Sequence, residues 1–147
     1  TSTNPIFSRK EEKKEKMKDP IFLLCDTIRQ TSFSLHQYLR YGHSEKVYEN
    51  GLAHRLEKQG IHTTQQEPIE VRDEDETILG SFKTDLIVHH KNLKLIIEIK
   101  AVRNTLPEHY AQLIGYLRAS RTEHGLLINF GAPKLQIKKF TLSRLGS

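Results

Sequence analysis

Cysteine and tryptophan are almost absent from this chain. Its 147 residues include one cysteine, Cys25, and no tryptophan. One thiol cannot form a disulfide within the chain, and it cannot build a zinc site by itself. The sequence therefore gives no sign of an oxidising compartment. The eight glycines and five prolines are too few for a collagen-like chain.

Long apolar runs are missing as well. No stretch approaches the roughly 20 apolar residues that a membrane-spanning helix needs, which excludes a transmembrane class. The first residues also lack the apolar segment of a secretory signal. We therefore expect an intracellular location, in the cytoplasm or the nucleus. The chain begins at Thr1 rather than Met, so an organelle stays open if an N-terminal segment was removed.

The size and charge fit one ordinary basic domain. The mass is 17.1 kDa, 36% of the residues are hydrophobic, and the formal net charge is +5 with a pI near 9.3. This balance favours a polyanionic partner, above all nucleic acid. The alternative explanation of the net charge of +5 is a solvated surface with surplus lysines. Residues 9–18 carry six basic and three acidic residues and no apolar stripe. We expect a charged, flexible tail over 1–19 and a single domain over 20–147.

The predicted order of helices and strands is that of an α/β fold. Apolar residues at helical spacing predict one long helix or two from Pro20 to a stop at Gly42. A further helix begins at Ser44 and Glu45 and ends before Gly60. Its predicted apolar face is Val47, Tyr48, Leu52 and Leu56. Strands are predicted at 61–71, 79–89, 93–99, 125–129 and 135–140, with a helix at 107–120. This order favours a sheet with helices packed on it.

Two carboxylates face one another in the hairpin predicted at 79–99. If residues 91–92 form a two-residue turn, Asp85 lies directly opposite Glu98, with their Cβ atoms about 4.5–5.5 Å apart. Lys100 points to the same face, because it is two residues further along the strand. Adjacent carboxylates repel unless a cation lies between them, and Mg²⁺ is commonly held by one or two carboxylates. The pattern therefore predicts a Mg²⁺ or Mn²⁺ site where Lys100 orients a water or stabilises charge on a phosphate.

Two alternatives to this site remain open. A three-residue turn would shift the pairing by one residue and place Glu98 on the other face. Asp85 and Lys100 could also form a simple ion pair at a strand end, with Glu98 half-exposed. The run of apolar residues around Glu98 argues against the ion pair, because an unpaired charge in such a strand is costly.

The helix predicted at 107–120 carries a row of polar side chains. His109, Gln112 and Tyr116 are spaced three and four residues apart and share one face. This row suits contact with a phosphate backbone or a base near the carboxylate pair. The alternative is the ordinary polar surface of an amphipathic helix.

Five segments in this order carry a family resemblance. They read GHSEKVY at 42–48, KTDLIV at 83–88, EIKAV at 98–102, QLIGYL at 112–117 and LLINFG at 126–131, with His36 upstream. Together they resemble the GxxExxY family of the PD-(D/E)XK nuclease superfamily, and the Gln-x-x-x-Tyr element is also that of RecB-like nucleases. The resemblance spans about residues 21–140. Arg40 and Tyr41 depart from it, since the family often has Gly-Pro there.

The resemblance implies a fold and a set of roles. The fold would be a restriction-endonuclease-like core, with a mixed central sheet of about four to five strands flanked by helices. Asp85, Glu98 and the carbonyl of Ile99 would hold the metal, and Lys100 would position the water. Glu45 would be an additional acidic residue of the site. Gln112 and Tyr116 would support the site or contact the nucleic acid, next to His109 of the polar row described above.

The expected function is that of a metal-dependent nuclease that hydrolyses phosphodiester bonds, in DNA more than in RNA. The alternative is a catalytically silent module of the same fold, serving as a nucleic-acid-binding or assembly subunit of a larger complex. Homodimerisation is a further expectation, because the domain is small. A small-molecule phosphate hydrolase is disfavoured, because no Gly-rich phosphate loop is present.

Overall fold

The computed structural model describes residues 19–142. Apart from Asp19, the expected tail lies outside these residues, so the division into tail and domain stays a prediction. The described chain forms three helices and five strands. The helices are α1 (Pro20–Leu39), α2 (Glu45–Lys58) and α3 (Pro107–Ser120). The strands are β1 (His62–Arg72), β2 (Ile78–His90), β3 (Leu93–Lys100), β4 (His124–Asn129) and β5 (Gln136–Thr141).

The five strands form one mixed sheet in the order β1-β2-β3-β4-β5. β3 and β4 are parallel, and the other neighbours are antiparallel. The chain crosses from β3 to β4 through α3, as a parallel pair requires. This confirms the α/β class and the mixed sheet flanked by helices.

The helices cover both faces of the sheet. Side chains of α1 and α2 pack with Leu95 and Ile97 on one face. Leu113 and Leu117 of α3 pack with Ile96 on the other. A strand covered on both faces is apolar almost throughout, which is why β3 has so few polar positions.

The first two helices differ in detail from the sequence prediction. α1 is one helix, capped by the Asp19 side chain, which accepts from the Ile21 N–H at 3.1 Å. Ser44 occupies the N-cap position of α2 without a side-chain capping hydrogen bond. The placement of Val47 on the buried face of α2 was wrong, because that side chain is 40% exposed. None of the helices in residues 19–142 has the length and apolar character needed to cross a bilayer.

The turn between β2 and β3 sets their register. Pairing starts at His90↔Leu93 and continues to Leu86↔Ile97. The two-residue turn is therefore confirmed, and the three-residue alternative is excluded. Asp85 and Glu98 occupy the next step of this register, where the backbone ladder has ended.

β1 and β2 continue beyond β3 as a two-stranded arm, residues 67–84, paired from Glu67↔Thr84 to Arg72↔Ile78. Where the arm begins, Gln66 has φ +55 and the 66–85 pair is missing from the ladder. Ile87 and Phe82 both face α3, although an odd separation along a regular strand puts residues on opposite faces. The arm is therefore turned over at Gln66, which directs Phe82 onto α3.

Candidate active site

The side chains of Asp85 and Glu98 interlock where the β2–β3 ladder ends. Oδ2 of Asp85 accepts a hydrogen bond from the Ile99 N–H at 2.7 Å. The Asp85 N–H donates in turn to Oε1 of Glu98 at 3.4 Å. Glu98 is 4% exposed. The two carboxyl groups are thus held together by the backbone of each other's strand.

Burial and charge oppose ionisation of Glu98. Burial is the larger cause, and the neighbouring Asp85 carboxylate adds to it, so the pKa of Glu98 is raised to about 9. The positive charge of Lys100 acts in the opposite direction but does not cancel these effects. Without a cation, the pair therefore holds a proton at neutral pH.

Glu45 reaches the same end of β3 from the start of α2. Its Oε2 accepts from the N–H of Ala101 at 3.3 Å, one residue beyond Lys100. Lys100 itself is half-buried and pairs in register with Asn129 of β4. The structure thus brings Glu45, from a distant helix, to the strand end that carries Lys100.

Tyr48 anchors the loop that presents Glu45. Its buried hydroxyl donates to the carbonyl of Arg40 and accepts from the His43 N–H. Its ring stacks on Phe130, with centroids 4.7 Å apart and planes 8° apart. The tyrosine of the sequence pattern therefore fixes the start of α2.

The polar row on α3 meets the pair at one end. Burial is the largest cause of a raised pKa at Tyr116, and the charges of Glu98 and Asp85 add to it. The Tyr116 ring stacks on Phe82 of the arm at 3.9 Å. Gln112 is exposed one turn earlier. His109 lies at the helix start, where its Nδ1 accepts from the Leu106 N–H at 3.1 Å.

Two residues near the site were missed by sequence reasoning. Glu49 is 2% exposed and accepts from Gln66 Nε2 at 2.8 Å. Gln66 also reaches Oδ1 of Asp85, at 3.4 Å. Glu49 could have been suspected, because it lies four residues after Glu45 and so shares a helix face with it. Gln66 gave no signal, because it stands in a polar stretch of an edge strand.

A family profile matches most of this chain. The profile of the PD-(D/E)XK nuclease superfamily matches residues 23–140. The chain belongs to the PD-(D/E)XK nuclease superfamily. Membership supports a nuclease and a nucleic-acid substrate. The narrower GxxExxY family and the RecB-like relation stay predictions.

One solved structure shows the same fold at low sequence identity. The crystal structure of SSO0001 is 20% identical, with a TM-score of 0.54 over 66% of this chain and 50% of that one. This chain thus spans about half the length of SSO0001. The Holliday junction resolvase Hjc of Archaeoglobus fulgidus is 17% identical, with a TM-score of 0.42 over 66% of this chain and 71% of Hjc. No curated protein sequence shows significant similarity to this chain.

The oxygen atoms at this superfamily site suit a hard divalent cation. Carboxylate and carbonyl oxygens are the ligands that Mg²⁺ and Mn²⁺ prefer. Within residues 19–142, no group of three or more His, Cys, Asp or Glu side chains is arranged to hold a metal. A cation would therefore rest on Asp85 and Glu98, with the Ile99 carbonyl, water and phosphate oxygens completing its shell. PD-(D/E)XK nucleases generally use divalent metal ions, and the chemistry of this donor set fits one.

Proposed function

We propose that this protein is a divalent-metal-dependent nuclease that hydrolyses phosphodiester bonds, with DNA as the favoured substrate. The observation that carries the proposal is the pair formed by buried Glu98 and half-buried Asp85, interlocked through the strand backbones beside Lys100. A buried carboxylate pair is costly unless a cation neutralises it. The net charge of +5 supports a polyanionic substrate, and it does not separate DNA from RNA.

In this mechanism, Asp85, Glu98 and the Ile99 carbonyl would hold Mg²⁺ or Mn²⁺. A bound divalent cation polarises a phosphoryl oxygen and lowers the pKa of a coordinated water. Lys100 orients the attacking water and stabilises negative charge on the phosphate. The Ile99 N–H keeps the Asp85 carboxylate in one orientation throughout.

The remaining site residues have supporting roles in the proposal. Glu45 adds a further acidic group at the end of β3. One face of α3 carries a polar row that leads away from the carboxylates, formed by Tyr116, Gln112 and His109. We assign contact with the nucleic acid to this row. The Tyr116 ring is held against Phe82, which restricts the positions that its hydroxyl can take.

The test is cleavage of labelled single- and double-stranded DNA and RNA, with Mn²⁺ or Mg²⁺ and with a chelator. Asp85→Asn and Glu98→Gln should each lower the cleavage rate at least about 100-fold, while binding changes little. Glu108→Gln is the matched control, because Glu108 is an exposed carboxylate at the start of α3. It should cleave like the original protein.

Two outcomes would overturn the proposal. Cleavage that survives both Asp85→Asn and Glu98→Gln would exclude these carboxylates as metal ligands. Tight binding without cleavage of any substrate would favour the silent nuclease-fold module, acting as a nucleic-acid-binding or assembly subunit. The search would then turn to a second copy of the chain or a larger complex.

A further inference from the structure

Gln66 has an unusual backbone at the edge of the site. Its φ is +55, a left-handed region that residues other than glycine seldom adopt because it is strained. The β1–β2 ladder is intact directly on both sides of it, at Gln65↔Leu86 and at Glu67↔Thr84. The strain is therefore confined to the residue that faces Asp85.

The Gln66 side chain is held by a buried carboxylate. Oε1 of Glu49 accepts from Gln66 Nε2 at 2.8 Å. Oε2 of Glu49 accepts from Gln65 Nε2 at 2.7 Å and from the Lys46 ammonium at 3.1 Å. Both oxygens of Glu49 accept hydrogen bonds, so the NH₂ group of Gln66 and not its carbonyl faces Glu49. Glu49 thereby fixes which end of the amide points into the site.

The same NH₂ group also reaches the catalytic carboxylate. Gln66 Nε2 lies 3.4 Å from Oδ1 of Asp85, which is a long and weak hydrogen bond. The other oxygen of Asp85 accepts from the Ile99 N–H at 2.7 Å. Each oxygen of Asp85 thus has one uncharged donor, and the two donors come from different strands. Together they restrict rotation of the carboxylate about its Cβ–Cγ bond.

We propose that Gln66 is a positioning residue, which, oriented by buried Glu49, holds the Asp85 carboxylate in the orientation that binds the metal. This inference rests on the proposed function. Partners of metal ligands commonly change metal affinity by about 10- to 100-fold when they are removed. The φ of Gln66 also explains the inverted arm. The same backbone angle reverses the faces of the strand and sets the direction of the Gln66 side chain.

The test compares two neighbouring glutamines. Gln66→Met keeps the length and the unbranched stem but cannot donate to either carboxylate. Gln65→Met is the matched control, because Gln65 also donates to Glu49, and to Asn50 Oδ1 at 2.7 Å, without contacting Asp85. Gln66→Asn keeps a residue type that tolerates positive φ, but its side chain is one methylene shorter and cannot reach both carboxylates. It therefore tests the side-chain contact without adding backbone strain. Mn²⁺ affinity is measured by calorimetry, alongside circular dichroism and cleavage across a Mn²⁺ titration.

Gln66→Met and Gln66→Asn should weaken Mn²⁺ binding about tenfold, with Gln65→Met within about twofold of the original. High Mn²⁺ should restore cleavage in both Gln66 variants but not in Asp85→Asn, and the KM for nucleic acid should not change. Equal losses in the Gln66 and Gln65 variants, or unchanged Mn²⁺ affinity in folded Gln66→Asn, would overturn the inference alone. A wild-type protein that binds no Mn²⁺ would overturn the proposed function and this inference together.

Discussion

At the scale of single residues, Glu98 is the side chain of the candidate site whose pKa is raised most clearly. It is a carboxyl group within a strand whose neighbours Ile97 and Ile99 are both buried. Its raised pKa means that the folded, metal-free protein keeps a proton that the unfolded chain releases. The protonation of one side chain therefore links stability, pH and metal binding.

We predict that the metal-free protein loses stability as pH rises from about 4.5 to about 9. The pKa of Glu98 is raised from 4.5 to about 9, so its contribution is complete below the lower value and is lost as pH passes the upper one. The difference from Glu98→Gln should be on the order of a few kcal/mol across this range. Urea denaturation in chelator at several pH values measures it. Parallel profiles for the two proteins would contradict the prediction.

The sequence was informative about residues whose partners are set by strand geometry. A two-residue turn and regular alternation were enough to place Asp85 and Glu98 together. Gln66 and Glu49 were missed for a physical reason. The role of Gln66 depends on a left-handed backbone that its residue type does not indicate, and the burial of Glu49 depends on a strand 16 residues away.

At the scale of elements, the loop before α2 depends on one hydroxyl. Tyr48→Phe keeps the ring on Phe130 but leaves the Arg40 carbonyl and the His43 N–H without this partner. We predict a loss of about 1–3 kcal/mol in the free energy of unfolding. Tyr41→Phe is the control, since Tyr41 is 57% exposed, and it should change stability by less than about 0.5 kcal/mol. Similar losses in both, measured by denaturant titration, would argue against this anchoring role.

The turn after β4 allows no side chain at Gly131. An added Cβ would lie 2.3 Å from the Ala101 carbonyl carbon and the Val102 nitrogen, which are backbone atoms just beyond Lys100. We predict that Gly131→Ala costs at least about 2 kcal/mol of stability, and that cleavage falls because the end of β3 is displaced.

Gly115→Ala is the contrasting variant for that prediction. Gly115 lies within α3, and no atom is within 4 Å of its added Cβ. Alanine is favoured over glycine in a helix interior by about 1 kcal/mol, so this variant should be slightly more stable. Thermal unfolding of both proteins is the measurement. Equal effects of the two substitutions would contradict the crowding at Gly131.

Helices and strands were largely predictable because their signals are local. Pro20 and Pro107 start helices, and the two glycines Gly42 and Gly60 adopt positive φ after α1 and α2. Whether the chain begins with one helix or two could not be predicted from local sequence signals. Ser32 is fully buried within α1, so it lies on the packed face of one continuous helix although its residue type weakens the helical pattern.

At the scale of the whole molecule, the positive net charge should govern the strength of nucleic-acid binding. We predict that the affinity of Glu98→Gln for labelled DNA falls about tenfold or more between roughly 50 and 200 mM salt, because bound cations are released from the phosphates. Fluorescence anisotropy at several salt concentrations measures it. Lys100→Met should reduce the slope of log affinity against log salt concentration by about one, the value expected for one lost phosphate contact. An affinity that is independent of salt would contradict this account.

The sheet was predictable in class and in number of strands, but the arm was not. Alternation along β2 would place Phe82 and Asp85 on opposite faces, whereas the turned arm stacks Phe82 on Tyr116. That inversion depends on the backbone of Gln66 and on packing against α3. Both are properties of the assembled fold rather than of any short segment.

The two-residue turn at 91–92 has a consequence for how this gene can change. Lys91 and Asn92 are exposed, so their residue types are open to substitution. Leu93 and Glu98 are roughly 17 Å apart along β3, so the turn itself is remote from the carboxylates. Yet one codon inserted after it would bring Ile97 opposite Asp85 if the turn kept two residues, and it would turn Glu98 to the other side of the sheet. Substitutions at this turn should therefore be tolerated, whereas an insertion or deletion that shifts the register would separate the two carboxylates of the proposed metal site.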